Sequence, residues 1–275
     1  MPDPPGRGYR TMPYAAAQRQ GVDWNEIMSR GHTIHGLVEF DVTEARRAVH
    51  AARRATGRPL SFTALMVASF ARAVAADPVV QAFRKGGGNL VVFEDVDVAV
   101  LVEHELDGML VPVPHIVRLA NRKSPAEIDR EIAAARGEET PYAGAMRFAP
   151  AWFLLPAWLR RFAIRRVLAS PHRRRRFTGT AAVTAVSMFG RGTGWGVPFI
   201  SHSIVLTVGG IARRLATGPG GRIEPRETVC LTLSVDHDVV NGAPLARFIS
   251  RFRAMVESAS PLLDEEGGGR PGSMP

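Results

Sequence analysis

The chain has 275 residues, 45% hydrophobic and 22% charged, a balance that builds a packed core and excludes disorder for the bulk of it. Its single cysteine, Cys230, excludes a disulfide framework and a multi-cysteine zinc site. The net charge of +9 is local: eight arginines and no acid stand between Arg160 and Arg176, and everything else carries +1. Basicity so confined belongs to one segment, and no nucleic-acid partner is expected. The opening MPDPPGRGYRTMP has no apolar signal region, and the longest wholly apolar run, Ala151–Leu159, is far too short to cross a bilayer. The expected location is therefore the cytoplasm.

Residues 1–32 read as an N-terminal arm, rich in proline and glycine at its start, with one short helix near Trp24–Met28. Ile34, Val38 and Phe40 predict a strand over Thr33–Phe40. Thr43 is placed to cap a helix that ends at Gly57-Arg58-Pro59. Ser61 caps a second helix with Leu65, Met66, Ser69, Phe70 and Ala73 on its inward face. Asp77-Pro78 stops it, because the residue before proline is pushed out of helical geometry. Three strands follow, Leu90–Phe93, Val96–Val102 and Met109–Val113, the last two joined at an Asp107-Gly108 hairpin turn. Ser124-Pro125-Ala126-Glu127 is a capping box with proline at the first helical position, predicting a helix to Arg136.

Strands near Thr180–Ser187, Ser203–Ile211 and Val229–Val235 precede a last helix, Pro244–Ser258. Leu245, Phe248, Ile249, Phe252 and Met255 form its apolar stripe. The tail from Asp264 is read as disordered. Interspersed strands and helices with hairpin signals predict an α/β sandwich, a mixed and largely antiparallel sheet with helices packed on it. Residues 33–262 form one domain, followed by the tail 263–275.

Several chemistries fail on motif. There is no phosphate-binding G-x-x-x-x-G-K-[ST], no H-E-x-x-H and no Gly-x-Ser-x-Gly. His32 and His35 stand three apart without a carboxylate partner, so no metal site is expected there. What remains is Ser234-Val235-Asp236-His237-Asp238-Val239-Val240-Asn241-Gly242, where an apolar strand runs into a histidine-centred turn and then a helix. A histidine at a strand end is placed like a general base. On spacing alone it is also open that His237 merely satisfies a backbone group in a turn built by Asp and Asn-Gly.

Asp236-His237-x-Val239-Val240-Asn241-Gly242-Ala243, followed by Ala246-Arg247-Phe248, resembles the D-H-R-x-x-D-G-A motif of the acyltransferase (E2) components of 2-oxo acid dehydrogenase complexes. The resemblance continues in order through Val38-Glu39-Phe40-Asp41-Val42-Thr43, Ser61-Phe62-Thr63-Ala64-Leu65 and Asp107-Gly108-Met109-Leu110-Val111-Pro112-Val113. It extends through Asn121 to Ile128 and from Gly179-Thr180 through Thr184 to Met188-Phe189-Gly190. The chloramphenicol acetyltransferases and condensation domains, which usually carry H-H-x-x-x-D-G, are more distant. The resemblance implies a chloramphenicol-acetyltransferase-like fold and a trimer in which His237 of one subunit faces Thr184 of a neighbour. It implies His237 as general base, Thr184 as the hydroxyl that stabilises the oxyanion, and Asn241 in place of the usual aspartate that braces the turn. Coenzyme A is implied as substrate. Asp238 replaces the family's arginine, and a carboxylate beside the base would favour protonated imidazole.

The resemblance starts near residue 33, so no lipoyl domain precedes it, and neither Lys85 nor Lys123 has a lipoyl-site context. No covalent lipoyl group is expected on this chain. The implied activity is a stand-alone transferase moving an acyl group between coenzyme A and a thiol, such as dihydrolipoamide on another protein, or another small acceptor. The competing reading is a catalytically idle trimeric scaffold or a membrane-surface protein. Residues 140–176 read as an insert in which Trp152, Leu155, Trp158, Leu159 and Phe162 form one helical stripe beside arginines. Its segment Trp152–Arg176 suits a peripheral membrane surface or an acidic partner as well as packing on the domain.

Overall fold

The computed structural model describes residues 16–28, 31–106, 109–137, 152, 154–185, 192–218 and 220–266. Among these, six strands form one mixed sheet: β1 Thr33–Asp41, β4 Val98–Leu106, β5 Met109–Val117, β6 Ala181–Ala185, β7 Ile204–Thr217 and β8 Ile223–Asp236. Their spatial order is β1-β8-β7-β6-β4-β5. β6 lies parallel to both neighbours and every other pairing is antiparallel. Pro112 and Pro114 sit on β5, at the sheet edge, where a missing N–H costs no ladder bond. A separate short hairpin, β2 Phe83–Lys85 with β3 Asn89–Val91, turns at Gly86, whose φ of 62° suits glycine.

Alternation gives the sheet two unlike faces. Phe40, Leu206, Leu231, Leu233, Val183 and Val100 point into the core, where α3 Phe62–Ala76 is buried nearly all round. It packs between α4 Pro125–Gly137 and α7 Gly242–Glu257. Phe70 meets Phe248 and Phe252 edge-on at 6.1 and 5.8 Å, and Phe40 meets Phe252 at 5.5 Å. The opposite face is polar, carrying His35, Ser234, Thr232, Thr207 and Thr184 on four adjacent strands.

Local chemistry departs from expectation at several places. Val42, not Thr43, stands before α2 Thr43–Thr56; the Thr43 hydroxyl accepts from Glu227 N–H at 2.8 Å, tying helix to sheet. The Ser124–Glu127 capping box forms in both directions, at 2.8 and 3.2 Å. The helix expected over Trp24–Met28 is α1 Ala16–Met28, because α5 Ala157–Leu168 packs on it and supplies Arg160 and Arg161 to its Asp23. β7 and β8 continue past the expected Ile211 and begin before Val229, pairing out to Thr217 and Ile223 beyond a bulge at Val208–Ile211. The expected tail from Asp264 is helical as far as Glu266, within α8 Ser260–Glu266. Residues 267–275, the Asp107-Gly108 turn and Ser187–Gly190 lie outside the described residues.

Asp97 ties the centre of the sheet together. Its buried carboxylate accepts from Arg118 Nη1 at 3.0 Å, Arg175 Nε at 2.8 Å and Leu119 N–H at 3.0 Å. Its carbonyl accepts from Thr180 N–H at 2.7 Å, and its own N–H donates to Thr180 Oγ1 at 3.0 Å. Gly179 has φ of 81°, and a Cβ there would run into the Asp97 carbonyl. Burial alone would raise the Asp97 pKa, but Arg175, the Leu119 N–H and Arg118 outweigh it and hold the carboxyl below the usual aspartate range. Its stabilisation is therefore complete above an ordinary aspartate pKa of about 3.9 and is lost as pH falls through the lower folded value. Asp97→Ala is expected to cost about 1–3 kcal/mol in urea denaturation, because the Leu119 N–H and the Arg175 guanidinium lose their acceptor while both arginines keep access to water. Asp97→Asn should lack this part of the wild type's acid limb.

Candidate active site

The apolar side of β8 ends in a polar turn, residues 236–241, and Val240, 2% exposed, returns the chain to the core before α7. The turn is closed by its own backbone. The Asp236 carbonyl accepts from Val239 and Val240 N–H, both at 2.9 Å. The Asp236 carboxylate accepts from Asp238 N–H at 3.0 Å. The turn is also fastened on two sides: Asp236 N–H donates to Ser203 O at 3.0 Å, and His237 N–H donates to His32 O at 2.7 Å. His237 is thus held by its main chain while its side chain lies exposed at the sheet end.

The Asp238 carboxylate is engaged from two other sides. His32 Nδ1–H donates to its Oδ1 at 3.0 Å, and Arg84 of β2 pairs with its Oδ2. The hydrogen bond from His32, then the Arg84 charge, hold the Asp238 carboxyl below the usual aspartate range. The counter-charge to Asp238 thus comes from a different strand.

Beneath the turn, the Arg174 guanidinium stacks 4.2 Å over the Phe83 ring and donates to Ser201 O at 3.2 Å. Burial pulls it down to about 10, and the Asp236 charge acts against the shift, so it is cationic at neutral pH. His202, 6% exposed, donates from Nε2 to Thr178 O and accepts at Nδ1 from the Ser201 hydroxyl, both at 2.7 Å. Burial pushes its pKa down to about 4.

Thr184 lies on the polar face of β6, half-buried, in one row with Thr207 and Thr232 across three strands. The Thr207 and Thr232 hydroxyls are buried and unpaired. His237 lies five residues beyond Thr232 and two strands over from Thr184. At about 3.3 Å per residue and about 4.8 Å per strand, the two are roughly 19 Å apart within a chain. One chain does not bring them together. Asn241 stands at the N-terminal cap of α7, exposed, and its side chain makes no hydrogen bond to the first turn; Asp236 and His32 do the bracing seen here.

A cleft of about 320 Å³ opens beside the turn, between Thr33 and His35 of β1 and the segment Val197–Ile200. The His35 Nδ1 in this cleft is hydrogen-bonded to the Ser234 hydroxyl at 2.7 Å. Among the described residues no three His, Cys, Asp or Glu side chains come together as a metal site would require. Sequence reasoning missed Arg84, Arg174 and His202, and it left His32 only as half of a rejected metal pair. Arg84 and His32 reach Asp238, and Arg174 faces Asp236, across a long stretch of chain, while His202 packs beside Arg174; no local pattern announces that.

The pattern of the family described as 2-oxoacid dehydrogenases acyltransferase (catalytic domain) matches residues 32–139 and 169–263. The unmatched stretch falls inside the expected insert, and Arg173–Arg176 lie in the matched part. No curated protein matches the chain by sequence. A probable dihydrolipoamide acetyltransferase from Listeria monocytogenes is 19% identical, with a TM-score of 0.69 over 92% of this chain and 96% of that one. A truncated catalytic core of the 2-oxoacid dehydrogenase multienzyme complex from Thermoplasma acidophilum is 20% identical, with a TM-score of 0.66 over 91% and 99%. The dihydrolipoamide acetyltransferase of Azotobacter vinelandii is 16% identical, with a TM-score of 0.66 over 96% and 100%. In that protein a serine, a histidine and an asparagine were investigated for their role in the catalytic mechanism. The α/β sandwich expected from the sequence is the fold of these cores.

His202 supplies a pH test of the packing under the turn. The folded protein holds the ring neutral down to about pH 4, whereas an unfolded histidine takes a proton below about 6.5. Stability is therefore full above the unfolded value and falls between the two, by up to about 3 kcal/mol. His202→Gln, which keeps a donor for Thr178, should flatten that decline between pH 7 and pH 4.5 in urea titrations.

Proposed function

This chain belongs to the 2-oxoacid dehydrogenase acyltransferase catalytic-domain family and is an acyltransferase, and on that premise we propose that it moves an acyl group between coenzyme A and a small thiol acceptor. The preferred acceptor is a dihydrolipoamide carried by another protein. The observation that carries the reading is His237, whose main chain is tied to His32 and whose ring stands exposed at the end of the central sheet.

In the forward direction the neutral His237 imidazole takes the proton of the attacking thiol. A thiol of pKa about 8.5 and an imidazole of about 6.5 are close enough for useful transfer. The thiolate adds to the thioester carbonyl, and the resulting oxyanion receives a hydrogen bond from a Thr184 hydroxyl. Collapse breaks the carbon–sulfur bond to the leaving thiolate, which takes the proton back from the imidazolium.

Because His237 and Thr184 of one chain stand so far apart, the proposal requires Thr184 from a neighbouring subunit, in a homotrimer. The partial exposure of Thr184 supports that arrangement. Spacing adds support. In the Azotobacter protein the asparagine stands four positions after the histidine, as Asn241 stands after His237. Its serine stands 52 positions before the histidine, against 53 from Thr184 to His237. Asn241 then acts on the substrate side of the turn, consistent with a side chain that does not cap α7.

The test is acyl exchange between acetyl-coenzyme A and dihydrolipoamide, with assembly checked by light scattering. His237→Ala should lower the rate on the order of 10²–10⁴-fold, the usual contribution of a general base. Thr184→Ala should lower kcat on the order of 10²–10³-fold, with Thr184→Ser restoring most of it. Equal rates from wild type and His237→Ala, or no exchange from either, refutes the proposal. Arg84→Ala and Asp238→Ala should each reduce the rate less than Thr184→Ala does, and together no more than either alone. The pair acts as one unit on the turn.

A further inference from the structure

We propose that the outer face of α5 docks this protein on a lipid surface rich in anionic headgroups. The helix lies within the stretch that the family pattern leaves unmatched, so the acyltransferase core does not account for it. Its inner face is anchored: Arg160 and Arg161 grip the buried Asp23 carboxylate of α1 at 2.7 and 3.0 Å, and Arg161 also pairs with Glu26. These bonds set which side of α5 faces outward. On that side Trp158, Phe162, Arg165 and Arg166 fall within one helical face. Trp158 is 69% exposed, Phe162 57%, and Leu154, just before the helix, 86%.

The expected stripe is therefore divided. Pro156 separates Trp152 and Leu155 from the helix proper, and Leu155 and Leu159 are half-buried while Trp158 and Phe162 stand in solvent. The charge is equally one-sided. Arg165 and Arg166 are exposed and make no ion pair among the described residues. No aspartate or glutamate occurs between Glu139 and Glu224 to neutralise them. No described helix is long and apolar enough to cross a membrane. Two rings and a leucine flanked by exposed guanidiniums match the headgroup boundary instead, where rings enter the acyl region and arginines meet phosphate. A purely acidic protein surface would leave the rings unused.

The experiment is sedimentation of the full chain with phosphatidylcholine vesicles, with and without phosphatidylglycerol. Binding is expected on the anionic vesicles and not the neutral ones, and it should weaken as salt rises past about 0.15 M. Arg165→Gln with Arg166→Gln should lower the partition coefficient about 25-fold, taking about fivefold per guanidinium near a charged surface. Trp158→Ala with Phe162→Ala should also release the protein, while both variants keep the particle mass and acyl-exchange rate. Absent binding, or equal binding to neutral vesicles, overturns the proposal. So does a change in particle mass in either variant, which would make this face a contact between subunits.

Discussion

A buried carboxylate between two guanidiniums organises this molecule. Asp97 stands just before β4, and Arg118 reaches it from the end of β5 while Arg175 reaches it from α6 Pro171–Thr178. Its backbone pairs with Thr180, where β6 begins. β6 is short and parallel to both neighbours, so no hairpin sets its register. The Asp97 bonds, with Gly179 pressed against its carbonyl, place the strand that carries Thr184. Leu119 takes a left-handed φ of 54° in the same cluster, which aims its N–H at the carboxylate. A non-glycine residue accepts that conformation only where surrounding bonds demand it.

The candidate turn around His237 follows the same logic at the same end of the sheet, three strands away from β4. Its shape comes from Asp236 and from backbone bonds, and its charge balance comes from elsewhere. The carboxylate of Asp238, which in isolation would favour a protonated His237, is engaged by Arg84 and His32. Arg174 lies under the turn with Asp236 as its counter-charge. His237 sits in a field that several distant segments supply, and the local motif records only half of it.

The arginine-rich segment serves two purposes that composition alone merges. Arg160, Arg161, Arg174 and Arg175 are bound inward, to Asp23, to Phe83 and to Asp97. They are structural, and they explain how a run so dense in positive charge folds at all. Arg165, Arg166, Arg173 and Arg176 are exposed. Only the outward half is available to a partner, and on α5 it shares a face with exposed rings.

Much of this protein was legible as local pattern. The period of two in β1, the apolar run of β8, the apolar stripe of α7, the Ser124–Glu127 cap and the Asp77-Pro78 stop all appear as written, because each depends on neighbours within a few residues. The motif around His237 was legible too, since a strand, a turn and a helix start are encoded in sequence order. What could not be read was everything joined across the chain. α1 is longer than its own residues suggest because Arg160 and Arg161 satisfy its buried Asp23. Thr43 leaves its capping role because Glu227 N–H needs an acceptor. The separation of His237 from Thr184 is a matter of strand order and register, quantities that depend on which strands meet. Sequence determined which residues are candidates for the chemistry and which segments bend or stop. Only the tertiary structure decided which charges are cancelled, which arginines face outward, and that the two proposed catalytic groups of a single chain cannot meet.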